Sequence, residues 1–376
     1  AFLPHLISFA MSQDHIRTFK AAVEAYFAEP DYLDTEIGEF EIPGEKDVIR
    51  RFVDIFAGHF QKHYRHASAS APDKKYPVQR AIHAKSHGLL NAKLEIFDHQ
   101  DPALQHSIFK VAHTYDAKVR VSNGDGPAGP DTDKIASIGF AIKVRGVSGE
   151  KFLPMQIEDS QDFLFLNQPK YISNDVRDYE SLMRAIDGGL GARLKALFTN
   201  TRGLLYRRTA SPKDDPLNTF YWGVAPFRLG DIAVKFLIRP ATPKAIQKNK
   251  HADGLKPMLQ ASLNQDDVVY DFYIQKRVKD GTEDQSMPIE DYGIAWDETV
   301  SIPVKVGRLT IFKQRIDEQK DAEGFDEGEH LVFTPWNTTK DLRPLGSLNR
   351  ARRVVYPFSV INRHRLNEKR NPLEKE

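Results

Sequence analysis

A tyrosine near the C-terminus has arginines at spacings that would place them on one face of a helix. In the segment 352–365, Arg352 precedes Tyr356 by four residues and Arg363 follows it by seven. Residues three, four or seven positions apart share a helix face, so two guanidinium groups would flank one phenol. Because arginine stays protonated, its charge would favour the phenolate form of a neighbouring tyrosine. A phenolate held between cations suits a hard trivalent metal ion such as ferric iron, whereas a packed tyrosine among solvated arginines would do no chemistry.

A second segment with chemical potential lies near residue 80. Arg80 and His83 belong to the run Arg-x-x-His-Ala-Lys, with Ile82 directly before the histidine. A histidine has an unperturbed pKa of about 6.5, so it can take up and return a proton near neutral pH. Taken alone, a histidine beside Ile82 is more often a packed, hydrogen-bonded core residue than a catalytic one.

The predicted secondary structure around these two segments changes along the chain from helices to strands. Up to residue 66, apolar residues recur at helical spacing, which predicts an N-terminal helical arm. Between residues 93 and 311, short alternating or apolar runs bounded by Gly, Pro, Asn and Asp predict strands without the strand–helix alternation of a parallel sheet. We therefore expect an α+β protein: an antiparallel β-barrel with an N-terminal helical arm, helical insertions and a C-terminal helix.

Three parts follow from this pattern. Residues 1–74 would form the helical arm, and residues 75–330 the barrel with a helical insertion near 178–198. Residues 331–376 would form an extended connection followed by the helix that carries Tyr356.

Composition excludes several classes of function. The net charge of +1 predicts no electrostatic attraction to nucleic acid or to a membrane surface. No apolar run approaches the roughly 20 residues of a membrane span. The chain has no cysteine, which excludes disulfides, thiolate metal sites and a cysteine nucleophile, and would suit a protein that meets oxidants. The apolar residues 1–10 lack a basic region and fit a leader remnant, an added segment before a native Met11 or an N-terminal arm, and we expect a cytoplasmic protein.

Five short motifs connect the two segments. They are Arg80-x-x-His83-Ala84-Lys85, Val119-Arg120-Val121-Ser122, Gly139-Phe140-Ala141-Ile142-Lys143, Asp162-Phe163-Leu164-Phe165-Leu166-Asn167-Gln168-Pro169 and Arg352-x-x-x-Tyr356-Pro357. In this order and at comparable separations, they resemble the haem catalase family. The resemblance extends over residues 75–200 and 330–366.

The resemblance implies haem b as the cofactor and gives each motif a role. Tyr356 would be the phenolate ligand of the iron, a form of ligation that characterises catalases, and Arg352 would keep it ionised. His83 would be the acid–base residue on the opposite side of the haem. Ser122 would orient its imidazole, and Asn167 would donate a hydrogen bond to the bound peroxide.

The same resemblance assigns the haem propionates to arginines. Arg80, Arg120 and Arg363 match the cations that meet these carboxylates, for which a guanidinium group has the right bidentate geometry. A two-residue shift in the C-terminal helix would put Arg365 in the place of Arg363.

The sequence also departs from typical catalases. Phe358 stands where the family has an acidic residue, and Ser86-His87 replaces small residues after the histidine motif. The chain ends shortly after Arg363, whereas typical catalases continue for well over a hundred residues. From this we expect a more open pocket, and a monomer or homodimer rather than the interlocked catalase tetramer.

These features imply an enzyme that cleaves the O–O bond of peroxides. An open pocket favours organic or fatty-acid hydroperoxides, with some catalase activity. Ile82 resembles the Val of true catalases rather than the Thr of allene oxide synthases, which leaves hydroperoxide lyase, epoxyalcohol synthase and peroxidase activities open. The alternatives are a compact true catalase acting on hydrogen peroxide and a non-catalytic haem- or lipid-binding barrel.

Overall fold

The computed structural model describes residues 13–70, 78–99, 101–124, 130–131, 137–153, 159–187, 215–245, 249, 251–279, 283–316 and 327–367. The apolar residues 1–10 and residues 188–198 of the expected helical insertion lie outside these ranges.

The strands of the described chain form one antiparallel sheet that closes into a barrel. They are β1 Ser86–Ile96, β2 His113–Asn123, β3 Ile138–Arg145, β4 Ser160–Leu166, β5 Tyr221–Trp222, β6 Phe227–Leu229, β7 Ile232–Pro240, β8 Val268–Lys276, β9 Val304–Ile311 and β10 Leu342–Pro344. Strands β7, β5, β4, β3, β2, β1, β9 and β8 follow one another in space, and β8 pairs again with β7. Eight strands therefore complete the barrel, while β6 and β10 extend the sheet from β7.

Side-chain alternation sends one face of each strand into the barrel. On β2, Val119 and Val121 belong to the buried core, so Arg120 and Ser122 project from the outer face. Aromatic rings fill the barrel interior, and Phe163 lies against Phe236 and Phe272 with ring centroids 5.1 and 5.3 Å apart. Each such ring stabilises the fold by about 1.5–3 kcal/mol through burial.

Helices surround the barrel. They are α1 Gln13–Phe27, α2 Glu45–Ser70, α3 Val176–Asp187, α4 Leu255–Gln265, α5 Glu283–Ser286 and α6 Ser347–Leu366. A second apolar cluster joins α1, α2, α3 and α6. Phe358 of α6 is buried in this cluster. Its ring packs edge-on against that of Phe19 in α1, with the ring centroids 4.8 Å apart, so Phe358 joins α6 to the N-terminal helices. No helix within the described ranges is long and apolar enough to cross a membrane.

A buried arginine fixes the start of α6. Arg350 has no solvent exposure and donates through Nε to Glu45 at 2.6 Å and through Nη1 to Glu39 at 2.7 Å and Glu290 at 3.0 Å. Glu290 also accepts from the backbone N–H of Ser347 at 2.7 Å, where the positive end of the helix favours a carboxylate. The network ties the start of α2 and the segment after α5 to the helix that carries Tyr356.

The expected fold class is confirmed, because the structure is an antiparallel barrel with N-terminal helices and a C-terminal helix. The expected insertion near 178–198 coincides in part with α3, Val176–Asp187. The division at residues 74 and 330 remains a prediction.

Candidate active site

A single cavity gathers most of the residues that the motifs singled out. It has a volume of about 1260 Å³ including its open mouth, and it lies between the outer face of β2–β4 and helix α6. The polar side chains in its lining include Arg80, His83, Arg120, Ser122, Arg352, Tyr356 and Arg363. Residues nearly 300 positions apart in the sequence therefore meet in one place, on two different elements.

His83 lies on the barrel side of the cavity, just before β1. Its backbone adopts a φ of 60°, which is uncommon for a residue with a side chain and turns the chain sharply into the strand. The carbonyl oxygen of His83 accepts a hydrogen bond from Arg120 Nη2 at 3.0 Å. Its Nδ1 lies 3.1 Å from Ser122 Oγ, so the serine on β2 fixes the plane of the ring, as the motif predicts for this pair.

The environment lowers the pKa of His83 to about 3, first through burial and then through the nearby charges of Arg120, Arg352 and Arg80. The imidazole is therefore neutral at pH 7. This pKa lies well below the usual 6.5 of histidine, because burial and three guanidinium groups all disfavour the charged ring. A neutral imidazole can accept a proton, and its strongly acidic conjugate acid returns that proton readily.

Tyr356 lies on the helix side of the same cavity. The guanidinium carbon of Arg352 is 5.7 Å from the centre of the Tyr356 ring, one helical turn away. Burial lowers the pKa of Arg352, but the attraction of Tyr356 and neighbouring tyrosines leaves it raised overall, so the side chain stays charged. The predicted pairing of guanidinium and phenol on one helix face is thus present in the structure.

Two further tyrosines line the cavity near Tyr356. Burial raises the pKa of Tyr171 to about 12, and it also raises that of Tyr179, so both remain phenols at neutral pH. Their ring centroids are 6.1 Å apart. The motifs did not identify these two tyrosines, although both lie in or near predictable elements. Tyr171 comes shortly after β4, and Tyr179 lies in the first turn of α3.

Three arginines come together at another part of the lining. Arg80, Arg120 and Arg363 all face the cavity, and each lies within 4 Å of the carboxylate of Glu329. The Nε of Arg120 is buried and has no hydrogen-bond partner among the described residues. Of the two candidates near the end of α6, Arg363 lines the cavity and Arg365 does not.

Asn167 is the exception among the expected site residues. It follows β4 directly, and its Oδ1 accepts from the backbone N–H of Ile138 at 2.7 Å. Leu164 and Leu166 line the cavity, but Asn167 is not among the lining residues. The amide oxygen of Asn167 thus accepts a hydrogen bond at the end of the β3–β4 pair. The role of Asn167 as a contact of the substrate remains a prediction.

Gly139 is a site residue that the sequence pattern did not assign. A β-carbon at this position would lie 2.4 Å from Cε1 and 2.5 Å from Nδ1 of His83. The imidazole therefore occupies space that only a glycine leaves open. The position was part of a quoted motif, but only the pairing of Gly139 with Ser122 across β2 and β3 shows why a side chain is absent there.

Comparison with solved structures gives the fold a family context. The chain is similar to a fungal catalase, with 15% identity and a TM-score of 0.61 over 79% of this chain and 63% of that one. It is also similar to catalase A from Saccharomyces cerevisiae, with 14% identity and a TM-score of 0.59 over 76% of this chain and 61% of that one. A bacterial catalase matches with 14% identity and a TM-score of 0.61 over 93% of this chain and 67% of that one.

The chain spans slightly less than two thirds of the length of the fungal and yeast catalases. No protein-family model matches the sequence. No curated protein matches it either. The catalase resemblance expected from the five motifs is confirmed at the level of structure: this chain has the catalase fold.

Proposed function

We propose that this protein is a haem-dependent hydroperoxidase that cleaves the O–O bond of peroxides. One observation carries the proposal. A neutral, oriented histidine and a tyrosine paired with an arginine line the same cavity, within a catalase fold.

The side chains of the cavity fit a haem group. The porphyrin is flat and apolar with two carboxylates at one edge, and the cavity combines apolar walls, including Ile82, Leu164 and Val355, with three clustered arginines. The buried Nε of Arg120, which has no hydrogen-bond partner in the described part of the chain, is the kind of donor that a propionate would satisfy. Tyr356 would hold the iron, and Arg352 would stabilise the phenolate.

When bound, the haem iron supplies the redox chemistry of peroxide cleavage. The chain's own residues would manage the proton. Because Ser122 engages Nδ1 of His83, we assign proton transfer to Nε2, which takes a proton from one peroxide oxygen and returns it to the other. The low pKa of His83 keeps the ring in the accepting form throughout the neutral range.

For the substrate we propose organic hydroperoxides, including those of fatty acids, with lower turnover of hydrogen peroxide. The support is chemical: Ile82, Leu164, Leu166 and Val224 give the cavity apolar walls that an alkyl chain can contact. Dismutation of hydrogen peroxide, as in a true catalase, needs no such contact.

The test is to load the purified chain with haem and compare kcat/KM for hydrogen peroxide and for a fatty-acid hydroperoxide. We expect the organic substrate to be preferred, and His83→Gln to lose at least about 10²-fold on both substrates through loss of general acid–base catalysis. A large preference for hydrogen peroxide would make the protein a compact catalase. Haem binding without turnover of either substrate would make it a carrier. Sedimentation of the same sample checks the proposed monomer or homodimer.

A further inference from the structure

A buried carboxylate lies behind the three arginines of the cavity. The side chain of Glu329 is 7% exposed, and its oxygens lie 2.9 Å from Arg80 Nη1, 3.7 Å from Arg120 Nη2 and 3.8 Å from Arg363 Nη1. All three arginines line the cavity, but Glu329 does not. The carboxylate therefore contacts the guanidinium groups from the side away from the ligand space.

Each arginine also has an anchor that does not depend on this carboxylate. Arg80 Nη2 donates to the carbonyl oxygens of Gly328 at 2.8 Å and Leu331 at 2.9 Å. Arg120 donates to the carbonyl of His83, as described above, and Arg363 Nη1 donates to the backbone carbonyl of Glu329 at 2.6 Å. Backbone acceptors thus hold the three side chains in position, which leaves charge as the main contribution of the Glu329 side chain.

These four side chains together carry a net positive charge. Three guanidinium groups and one carboxylate sum to +2. Burial raises the pKa of Glu329, but the three arginines lower it by more. The pKa therefore falls below its usual value, and the carboxylate stays ionised. Burial and then the charge of Arg80 lower the pKa of Arg120 to about 9, whereas Glu329 opposes this shift.

We propose that Glu329 is an internal counter-ion that sets the charge of the Arg80–Arg120–Arg363 cluster to +2, matched to a ligand with two carboxylates. The inference rests on the proposed function, in which that ligand is haem with its two propionates. Glu329 is a positioning residue. Its negative charge lowers the electrostatic cost of burying three arginines in the apoprotein, and two positive charges remain for the ligand to neutralise.

The test compares thermal unfolding of the apoprotein and the haem-loaded protein. Glu329→Gln keeps the shape but leaves a +3 cluster, so we expect the apoprotein Tm to fall by about 5 °C or more. The haem-loaded Tm should fall by less than half as much, because the propionates replace the missing charge. Haem dimethyl ester, which has no carboxylates, should give no such rescue.

Glu327→Gln is the matched control. Glu327 pairs with Lys118 and Arg145, each at 3.0 Å, and does not line the cavity, so its loss should lower both Tm values equally. If Glu329→Gln does not fold without haem, Glu329→Gln with Arg80→Gln restores +2 and should fold.

Three results would overturn the inference. They are equal losses in apo and haem-loaded Glu329→Gln, equal rescue by the ester, and no recovery in the double variant. A wild-type chain that binds no haem would instead refute the proposed function, so the two failures are distinguishable.

Discussion

Gly139 and His83 are in contact at a distance that no side chain at position 139 would permit. A β-carbon on Gly139 would lie 2.4–2.5 Å from two atoms of the imidazole and 3.2 Å from Ser122 Oγ, which holds the ring. Both neighbours are buried or fixed by hydrogen bonds, so the ring would have to move.

Gly139→Ala should therefore displace the histidine while leaving Tyr356 and the arginines proposed to bind haem in place. A displacement of about 1 Å at a catalytic group lowers turnover by about 10²-fold. We expect that loss in kcat for peroxide cleavage, with haem uptake unchanged in a spectral titration. Gly58→Ala is the control, because nothing lies within 4 Å of a β-carbon there. Full turnover in Gly139→Ala would show that the ring tolerates the methyl group.

The low pKa of His83 predicts a pH dependence of stability in the apoprotein. In the unfolded chain the ring titrates near 6.5, and in the folded chain near 3, so the unfolded state binds more protons between these values. The folded protein therefore loses stability as the pH falls from 6.5 toward 3. Between pH 7 and pH 5, wild type should lose about 2 kcal/mol more than His83→Gln, measured by urea unfolding. Parallel curves for the two proteins would mean that the folded imidazole titrates normally.

The network around Arg350 predicts a large effect on stability from a residue outside the cavity lining. Arg350→Met leaves Glu39, Glu45 and Glu290 without their common cation, and loss of one partner in such a buried group costs about 3–5 kcal/mol. Arg50→Met is the control, because Arg50 pairs with Glu24 and Asp47 at the surface, where ion pairs contribute less than about 1 kcal/mol. Denaturant unfolding of both variants measures the difference, and similar losses would contradict the structural role of the network.

The same network predicts a pH effect with a defined sign. Burial raises the pKa of Glu290 to about 7, above that of an unfolded glutamate, even though Arg350 opposes the rise. The folded state thus binds the extra proton between about pH 4.5 and 7, and this contribution to stability is lost as the pH rises through 7. Glu290→Gln, which is permanently neutral, should therefore be less destabilising at pH 8 than at pH 5. The reverse order in unfolding midpoints would show that Glu290 is ionised throughout.

The helix and the longer strands could be predicted from the sequence because their patterns are local. The i−4 and i+7 spacing of Arg352 and Arg363 around Tyr356 lies within α6, and the alternating run 304–311 coincides with β9. Elements without a local pattern could not be predicted. Strand β5 has two residues, and β6 and β10 have three each, too few to show alternation.

Small residues can mislead for a different physical reason. The run Ala-Ser-Ala-Ser at 67–70 has the composition of a linker, but α2 continues to Ser70, because alanine favours helix and the preceding turns are already formed. Helix α4 was not predicted, although Leu255, Leu259 and Leu263 recur every four residues and are all buried.

The site shows the same division between local and distant information. Order and spacing brought seven of the eight expected residues to one cavity, while Asn167 turns its amide toward Ile138. Glu329 could not be identified from motif order and spacing, because its role depends on contacts with three arginines that are up to 249 residues away in the sequence. Its ionised state depends on their combined charge and not on any motif.

The central claim is that Tyr356 binds the iron of a haem held in this cavity. The most direct measurement is the absorption spectrum of the haem-loaded protein, compared between wild type and Tyr356→Phe, with Tyr171→Phe as the control that keeps the ligand. We predict a ferric tyrosinate-type spectrum in wild type and in Tyr171→Phe, and its loss together with weakened haem binding in Tyr356→Phe. An unchanged spectrum with full haem affinity in Tyr356→Phe would contradict the claim.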